Sequence, residues 1–286
     1  MNSSCKRCQR PGGINSSYWR KADSVKVTQY RCFRCKLLWT DLTDNLEKRQ
    51  KLRSINQTLA QILCSSVSMR RTAKLLKINR KTVARRIPYL AAKSKQLNAE
   101  ARPSQPPMEE VYIDELITFE HTRCKPLAVC MAVSKERKIL SLAVSQMPAI
   151  GKNLRKIALK KYGKRPNLRR KGVRECLRSI GDLVTAETVF KSDEEISYAS
   201  LIRAHFPRNR HVTFPSKRAV IAGQGELKDH SYDPLFAINH TFAMFRANVA
   251  RLVRRTWVTT KKRERLEDFL HIYAAFHNLE LTTQAS

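Results

Sequence analysis

Two cysteine pairs, Cys5-Lys-Arg-Cys8 and Cys32-Phe-Arg-Cys35, constrain the fold more than any other feature of this chain. Four thiolates supply a tetrahedral sulfur site for zinc, and two C-x-x-C turns are the usual way to place them. Of the 23 residues between Cys8 and Cys32, Tyr18, Trp19, Val25, Val27 and Tyr30 alternate well enough for short strands. Residues 1–40 are therefore expected to form a small zinc ribbon with Cys5, Cys8, Cys32 and Cys35 as Zn2+ ligands. A ribbon this small buries little core, so its fold should depend on the metal. The protein fills all four positions, so this zinc is expected to be structural. The competing use, two disulfides, is disfavoured in a reducing setting. Cys64, Cys124, Cys130 and Cys176 lack partners at metal spacing and are expected to be buried small hydrophobes.

Charge comes next. Lys plus Arg number 56 against 24 acids, a net +32 on 286 residues. Such a surface repels itself unless something anionic accompanies it. At 42% apolar, the chain can still bury cores and is no basic disordered tail. No apolar run approaches the ~20 residues of a membrane helix, and the N-terminus has no signal-peptide core. The expectation is a soluble intracellular protein whose partner is a polyanion, with nucleic acid the first candidate and an anionic membrane surface the second.

Residues 41–100 read as helical, with Pro88 their only proline. From Glu47 to Leu63, apolar residues at Leu52, Ile55, Leu59, Ile62 and Leu63 recur at three- and four-residue steps. Ser68 is placed to cap a second helix over Met69 to Leu76. After a break at Lys77-Ile78-Asn79, a third helix carries Arg80, Lys81, Thr82, Arg85 and Arg86, with Val83 and Ile87 inward. A basic second helix after a tight turn is the helix-turn-helix pattern. Its arginines would meet phosphates, and Asn79, Arg80 or Thr82 could reach base edges. The same pattern also describes an ordinary helical hairpin with a solvated face. Residues 101–109, with Pro103, Pro106 and Pro107, read as an extended linker.

From residue 110 to 286 the pattern becomes α/β. Strands are expected at Val111 to Ile113, Pro126 to Val133 and Ile139 to Val144. A basic helical stretch from Gly151 to Ser179 follows, with twelve Lys or Arg and one acid between 152 and 178. A fourth strand covers 188–191, a helix Ser197 to His205, and a fifth strand His211 to Phe214. Long helices are expected from Phe236 to Trp257 and from Lys262 to Leu279. This order resembles an RNase H-like domain, a mixed five-stranded sheet with helices. In that fold, acids at the first and fourth strands meet at one sheet edge. Asp114 and Asp193 occupy those positions. Two-metal phosphodiester chemistry needs such hard oxygen ligands around ions ~4 Å apart. For either Asp alone, a solvated strand-end carboxylate is the plainer use.

Taken together, the chain resembles a DDE-type insertion-sequence transposase of the InsA/InsB kind. The motifs are the four-cysteine ribbon, the helix-turn-helix, Asp114-Glu115 with Phe119, Ser192-Asp193 before a helix with Tyr198, and Asn239-His240-Thr241-Phe242-Ala243-Met244-Phe245-Arg246. The last runs on to Arg251-Leu252-Val253-Arg254-Arg255-Thr256. The resemblance covers nearly the whole length and implies a multi-domain protein: zinc ribbon, all-α helix-turn-helix, and RNase H-like catalytic domain. It implies binding to terminal inverted repeats, then DNA cleavage and strand transfer by Asp114, Asp193 and Asn239 holding Mg2+ or Mn2+. Arg246, Arg251, Arg254 and Arg255 would line the DNA path, the last three on one helix face. The partners implied are double-stranded DNA, as element ends and target, and a second copy of the chain. No membrane and no small-molecule substrate are expected, and the location is the bacterial cytoplasm at the nucleoid. One departure stands out: the family signature has an acid, usually Glu, where this chain has Asn239. An amide oxygen ligates Mg2+ without charge, so Glu226, Asp229 and Asp233 are rival third ligands, and His240 could assist. The alternatives are a decayed DNA-binding regulator and a nuclease without strand transfer.

Overall fold

The N-terminal alternation folds into three antiparallel strands in the order β1-β2-β3: β1 (Gly12–Arg20), β2 (Val25–Cys32) and β3 (Leu38–Thr40). The computed structural model describes residues 4–21, 24–42, 47, 50, 52–102, 106–215, 233–252 and 258–284. Each C-x-x-C turn closes with a left-handed residue, Gln9 at φ 55° and Lys36 at φ 59°. Gly12 is required where it stands, because a Cβ there would collide with the ring of Trp39. The ribbon's core is small: Cys5, Cys32 and Trp39, with Tyr30 stacked on Trp39 at 5.8 Å.

Three helices follow: α1 (Asn56–Leu63), α2 (Met69–Leu75) and α3 (Arg80–Glu100). Ser68 caps α2 by accepting from the Arg71 amide at 3.3 Å, and Asn79 caps α3 by accepting from the Lys81 amide at 2.8 Å. The turn between them passes through Lys77 at φ 51°. The expected first helix is shorter than its apolar spacing suggested and starts at Asn56 rather than Glu47.

The remainder contains a five-stranded mixed sheet ordered β6-β5-β4-β7-β8. Its strands are β4 (Glu110–Phe119), β5 (Pro126–Ser134), β6 (Ile139–Gln146), β7 (Val189–Asp193) and β8 (His211–Phe214). β4, β5 and β6 form an antiparallel meander, while β7 runs parallel to β4 and β8 parallel to β7. β5 is buried along its whole length, as a strand covered on both faces should be.

The helices are α4 (Lys152–Tyr162), α5 (Arg169–Arg178), α6 (Ile196–His205), α7 (Phe236–Asn248) and α8 (Arg263–Gln284). Two expectations need correcting. The basic helix expected over Gly151 to Ser179 is two helices, interrupted where Gly163 turns to φ 74° just before Pro166. The helix expected to reach Trp257 ends at Asn248, because Val249 is extended at φ −101°, ψ 102°. Arg251 therefore lies beyond α7; Arg254 and Arg255 lie outside the described residues.

Strand alternation divides β4 between two cores. Tyr112 and Leu116 join Val129 and Met131 of β5, Phe242 and Phe245 of α7, and Phe269 and Tyr273 of α8. Leu59, Val83, Ile87 and Leu90 of the three-helix segment belong to this same core. Val111 and Ile113 face the other way, onto Val173, Cys176 and Leu177 of α5 and Tyr198 and Ile202 of α6. The region expected as a linker is bridged at both ends. Arg102 donates to the Leu140 carbonyl at 2.9 Å and to Asp182 at 2.8 Å, and the Met108 amide donates to Leu183 at 2.9 Å. Among the described residues, no helix is long and apolar enough to cross a membrane.

Candidate functional site

The cysteine turns bring Cys5, Cys8, Cys32 and Cys35 together, with all four sulfurs within 4.8 Å of one another. The closest pairs are Cys5–Cys35 at 3.4 Å, Cys8–Cys32 at 3.5 Å and Cys8–Cys35 at 3.7 Å. A disulfide needs about 2.0 Å, whereas zinc bonded at about 2.3 Å sets its sulfurs about 3.8 Å apart. The cluster thus has the spacing of a metal site. The Cys35 amide donates to the Cys32 sulfur at 3.4 Å and is the main cause holding that thiol down to about 6. These four cysteines could hold a zinc ion. Cys64, Cys124, Cys130 and Cys176 are free and buried.

A second cluster is made by the sheet. Ile113 of β4 is in register with Ser192 of β7, so Asp114 and Asp193 follow side by side on adjacent parallel strands. Each carboxylate is fixed by one backbone amide. Glu115 N–H donates to Asp114 Oδ1 at 2.6 Å, and Glu195 N–H donates to Asp193 Oδ1 at 3.1 Å. The second oxygen of each makes no hydrogen bond among the described residues. The Asp114 carboxyl is pushed up to about 7, first by burial, then by facing Asp193 and by Glu115; the Glu115 amide and Arg246 act the other way. Two carboxylates of this kind, one of them poorly solvated, could hold a hard divalent cation.

Asn239 sits exposed on the first turns of α7, and its side-chain amide donates to Asp233 Oδ2 at 3.0 Å. Asp233 also accepts from the Leu235 amide at 2.9 Å, which fixes the start of the helix. Glu226 and Asp229 lie outside the described residues. The His240 ring lies tilted against Phe236 at 5.3 Å, and its Nδ1 meets Arg137 at 3.4 Å. The group on α7 that interacts electrostatically with Asp114 is Arg246, two turns further on and exposed. Arg251 is partly buried, with its guanidinium 4.5 Å above the Phe269 ring; burial and nearby Arg265 lower it to about 10.

Behind Asp114 lies a group that sequence reasoning missed. Glu115, on the opposite face of β4, has a side chain only 3% exposed. Arg169 at the start of α5 donates to its Oε2 twice, at 3.0 and 2.6 Å, and to Glu195 at 3.1 Å. Among the described residues, Glu115 Oε1 is buried without a hydrogen-bond partner. Nothing in the spacing of residues 115, 169 and 195 announces this contact, because three separate elements deliver them.

On α3, Arg80, Lys81 and Arg85 are exposed and Thr82 is half-buried. Arg86 differs from the expectation: it is 6% exposed and donates to the Leu52 carbonyl at 3.0 Å. It follows Val83 by three residues and precedes Leu90 by four, so it falls on the inward stripe. It supports the helical core and is not presented to a phosphate. A cleft of about 490 Å3 under α4 carries Lys125, Arg155, Lys164 and Tyr162. Lys125 lies 4.5 Å over the Tyr162 ring. Among the described residues, no carboxylate pairs with Lys125, Arg155 or Lys164.

No protein-family model and no curated protein matches this chain.

Proposed function

We propose that this chain is a DNA transposase of the DDE type. It would bind element ends through its ribbon and three-helix segment, and cut and join DNA at Asp114 and Asp193. The observation that carries this reading is the placement of those two carboxylates side by side on neighbouring parallel strands, in a chain of net charge +32. The sheet order β6-β5-β4-β7-β8, three antiparallel strands continued by two parallel ones, supports an RNase H-like catalytic domain.

In this reading the four-cysteine cluster binds structural Zn2+ and orders residues 1–40. Arg80, Lys81 and Arg85 meet phosphates, and Thr82 lies within reach of base edges. Asp114 and Asp193 hold Mg2+ or Mn2+, which when bound activates a water and stabilises the leaving oxygen. The Glu115 and Glu195 amides keep one oxygen of each Asp fixed, leaving the other for the ion. Arg246 offsets the charge of the scissile phosphate beside Asp114. The cations around Tyr162 extend the phosphate track past α4. At the phosphorus one oxygen replaces another in each step: water displaces a 3′-oxygen, and the freed 3′-OH then displaces a 3′-oxygen of target DNA. Pairing two element ends calls for a homodimer, acting in the bacterial cytoplasm at the nucleoid.

The engagement of Asn239 with Asp233 favours a second reading, a DNA-binding regulator that no longer cuts. The test is incubation of the protein with DNA carrying candidate inverted repeats and Mg2+. A transposase yields nicked 3′ ends and joined products. A regulator binds the ends and leaves them intact, and a nuclease nicks without joining.

A further inference from the structure

We infer that Arg169 is a positioning residue that sets both metal-binding carboxylates at once, and this rests on the two-carboxylate reading above. The amides that fix Asp114 and Asp193 belong to Glu115 and Glu195. The side chains of those same two residues are gripped by one guanidinium, with N–O distances of 3.0 and 2.6 Å to Glu115 and 3.1 Å to Glu195. Arg169 therefore ties β4 to the β7–α6 junction through the two residues that orient the functional oxygens. A guanidinium can do this because its planar fork reaches two carboxylates in fixed directions. A lysine ammonium is a single point and holds one of them at a time.

Burial gives the clamp its stiffness. The Glu115 side chain is 3% exposed, its Oε1 has no partner among the described residues, and Tyr198 O–H reaches Oε2 only at 3.5 Å. Among the described residues, Arg169 is thus the cation that pairs with a carboxylate that water hardly reaches. Groups that orient metal ligands from behind affect metal affinity or activity by about 10–100-fold.

The experiment uses the full chain with its zinc in place. Mn2+ binding is measured by calorimetry and end-DNA cleavage by gel, for wild type, Arg169→Lys, Arg169→Met and the pair Arg169→Met with Glu115→Gln. Removing Arg169 alone leaves a buried charge unpaired and can unfold the protein; the paired change removes that charge and restores a neutral core. The expected result is a 10–100-fold weaker Mn2+ affinity and a matching loss of cleavage in the paired variant, at wild-type thermal stability. DNA affinity without divalent ions should stay unchanged, and Arg169→Lys should fall between. A stable paired variant with wild-type Mn2+ affinity and cleavage overturns the clamp. If Asp114→Ala binds Mn2+ as wild type does, the carboxylate reading itself has failed, and the clamp with it.

Discussion

Asp114→Asn should stabilise this protein when no catalytic metal is present. The folded-state carboxyl lies near 7 against an ordinary 3.8. The folded state therefore holds its proton more tightly than the unfolded chain. Between these values stability falls as pH rises; the cost is absent below 3.8 and complete above about 7. The full difference converts to a ceiling of about 4 kcal/mol, and partial exposure cuts this to about 2 kcal/mol. Asn keeps the shape and still accepts the Glu115 amide, so the cost of charge is isolated. For a protein of this size about 2 kcal/mol corresponds to a Tm shift of about 4–8 °C. Thermal unfolding is followed at pH 8 and pH 5 in magnesium- and manganese-free buffer, without chelator, so that the cysteine site is untouched. We expect the variant to be the more stable at pH 8 and its lead to shrink at pH 5. Adding Mg2+ at a hundred times its dissociation constant should raise wild type by about 2.7 kcal/mol and reverse the order. A variant less stable than wild type at both pH values, or a lead independent of pH, refutes the reasoning.

Three further outcomes follow from other parts of the molecule. Purified protein should carry one zinc per chain, and Cys32→Ser should lose it. Strands β1 to β3 should then become protease-sensitive while β4 to β8 stay protected, since the ribbon core is little more than Cys5, Cys32, Trp39 and Tyr30. Arg86→Met should destabilise the fold by about 1–3 kcal/mol, read by denaturant melts, because it strands the Leu52 carbonyl; DNA affinity of the folded protein should not change. Arg80→Ala, Lys81→Ala and Arg85→Ala should behave the other way. Each should leave the melt unchanged and lower the slope of log affinity against log salt by about 1.

Elements with strong local signals could be read from the sequence. β8 falls at His211–Phe214, where the strand was expected, and Ser68 and Asn79 cap the helices they precede. The break in the basic helix was also written there, in Gly163 and Pro166, but the run of lysines and arginines masked it. The burial of Arg86 was available too, since it lies between Val83 and Leu90 at helical spacing. The end of α7 had no comparable marker: Val249 leaves the helix without a Gly or Pro. Asp114 and Asp193 could be placed by strand order. The grip of Arg169 on Glu115 and Glu195 could not, because it depends on how α5 lies across the sheet, and packing of that kind leaves no local pattern.

The central claim is that Asp114 and Asp193 act together on DNA. The most direct measurement is Mg2+-dependent cleavage and joining of end DNA by wild type, Asp114→Ala and Asp193→Ala, each first shown to bind that DNA. Wild type should give products and each variant should lose at least about a hundredfold, with DNA affinity retained. Variants that cleave as well as wild type would contradict it.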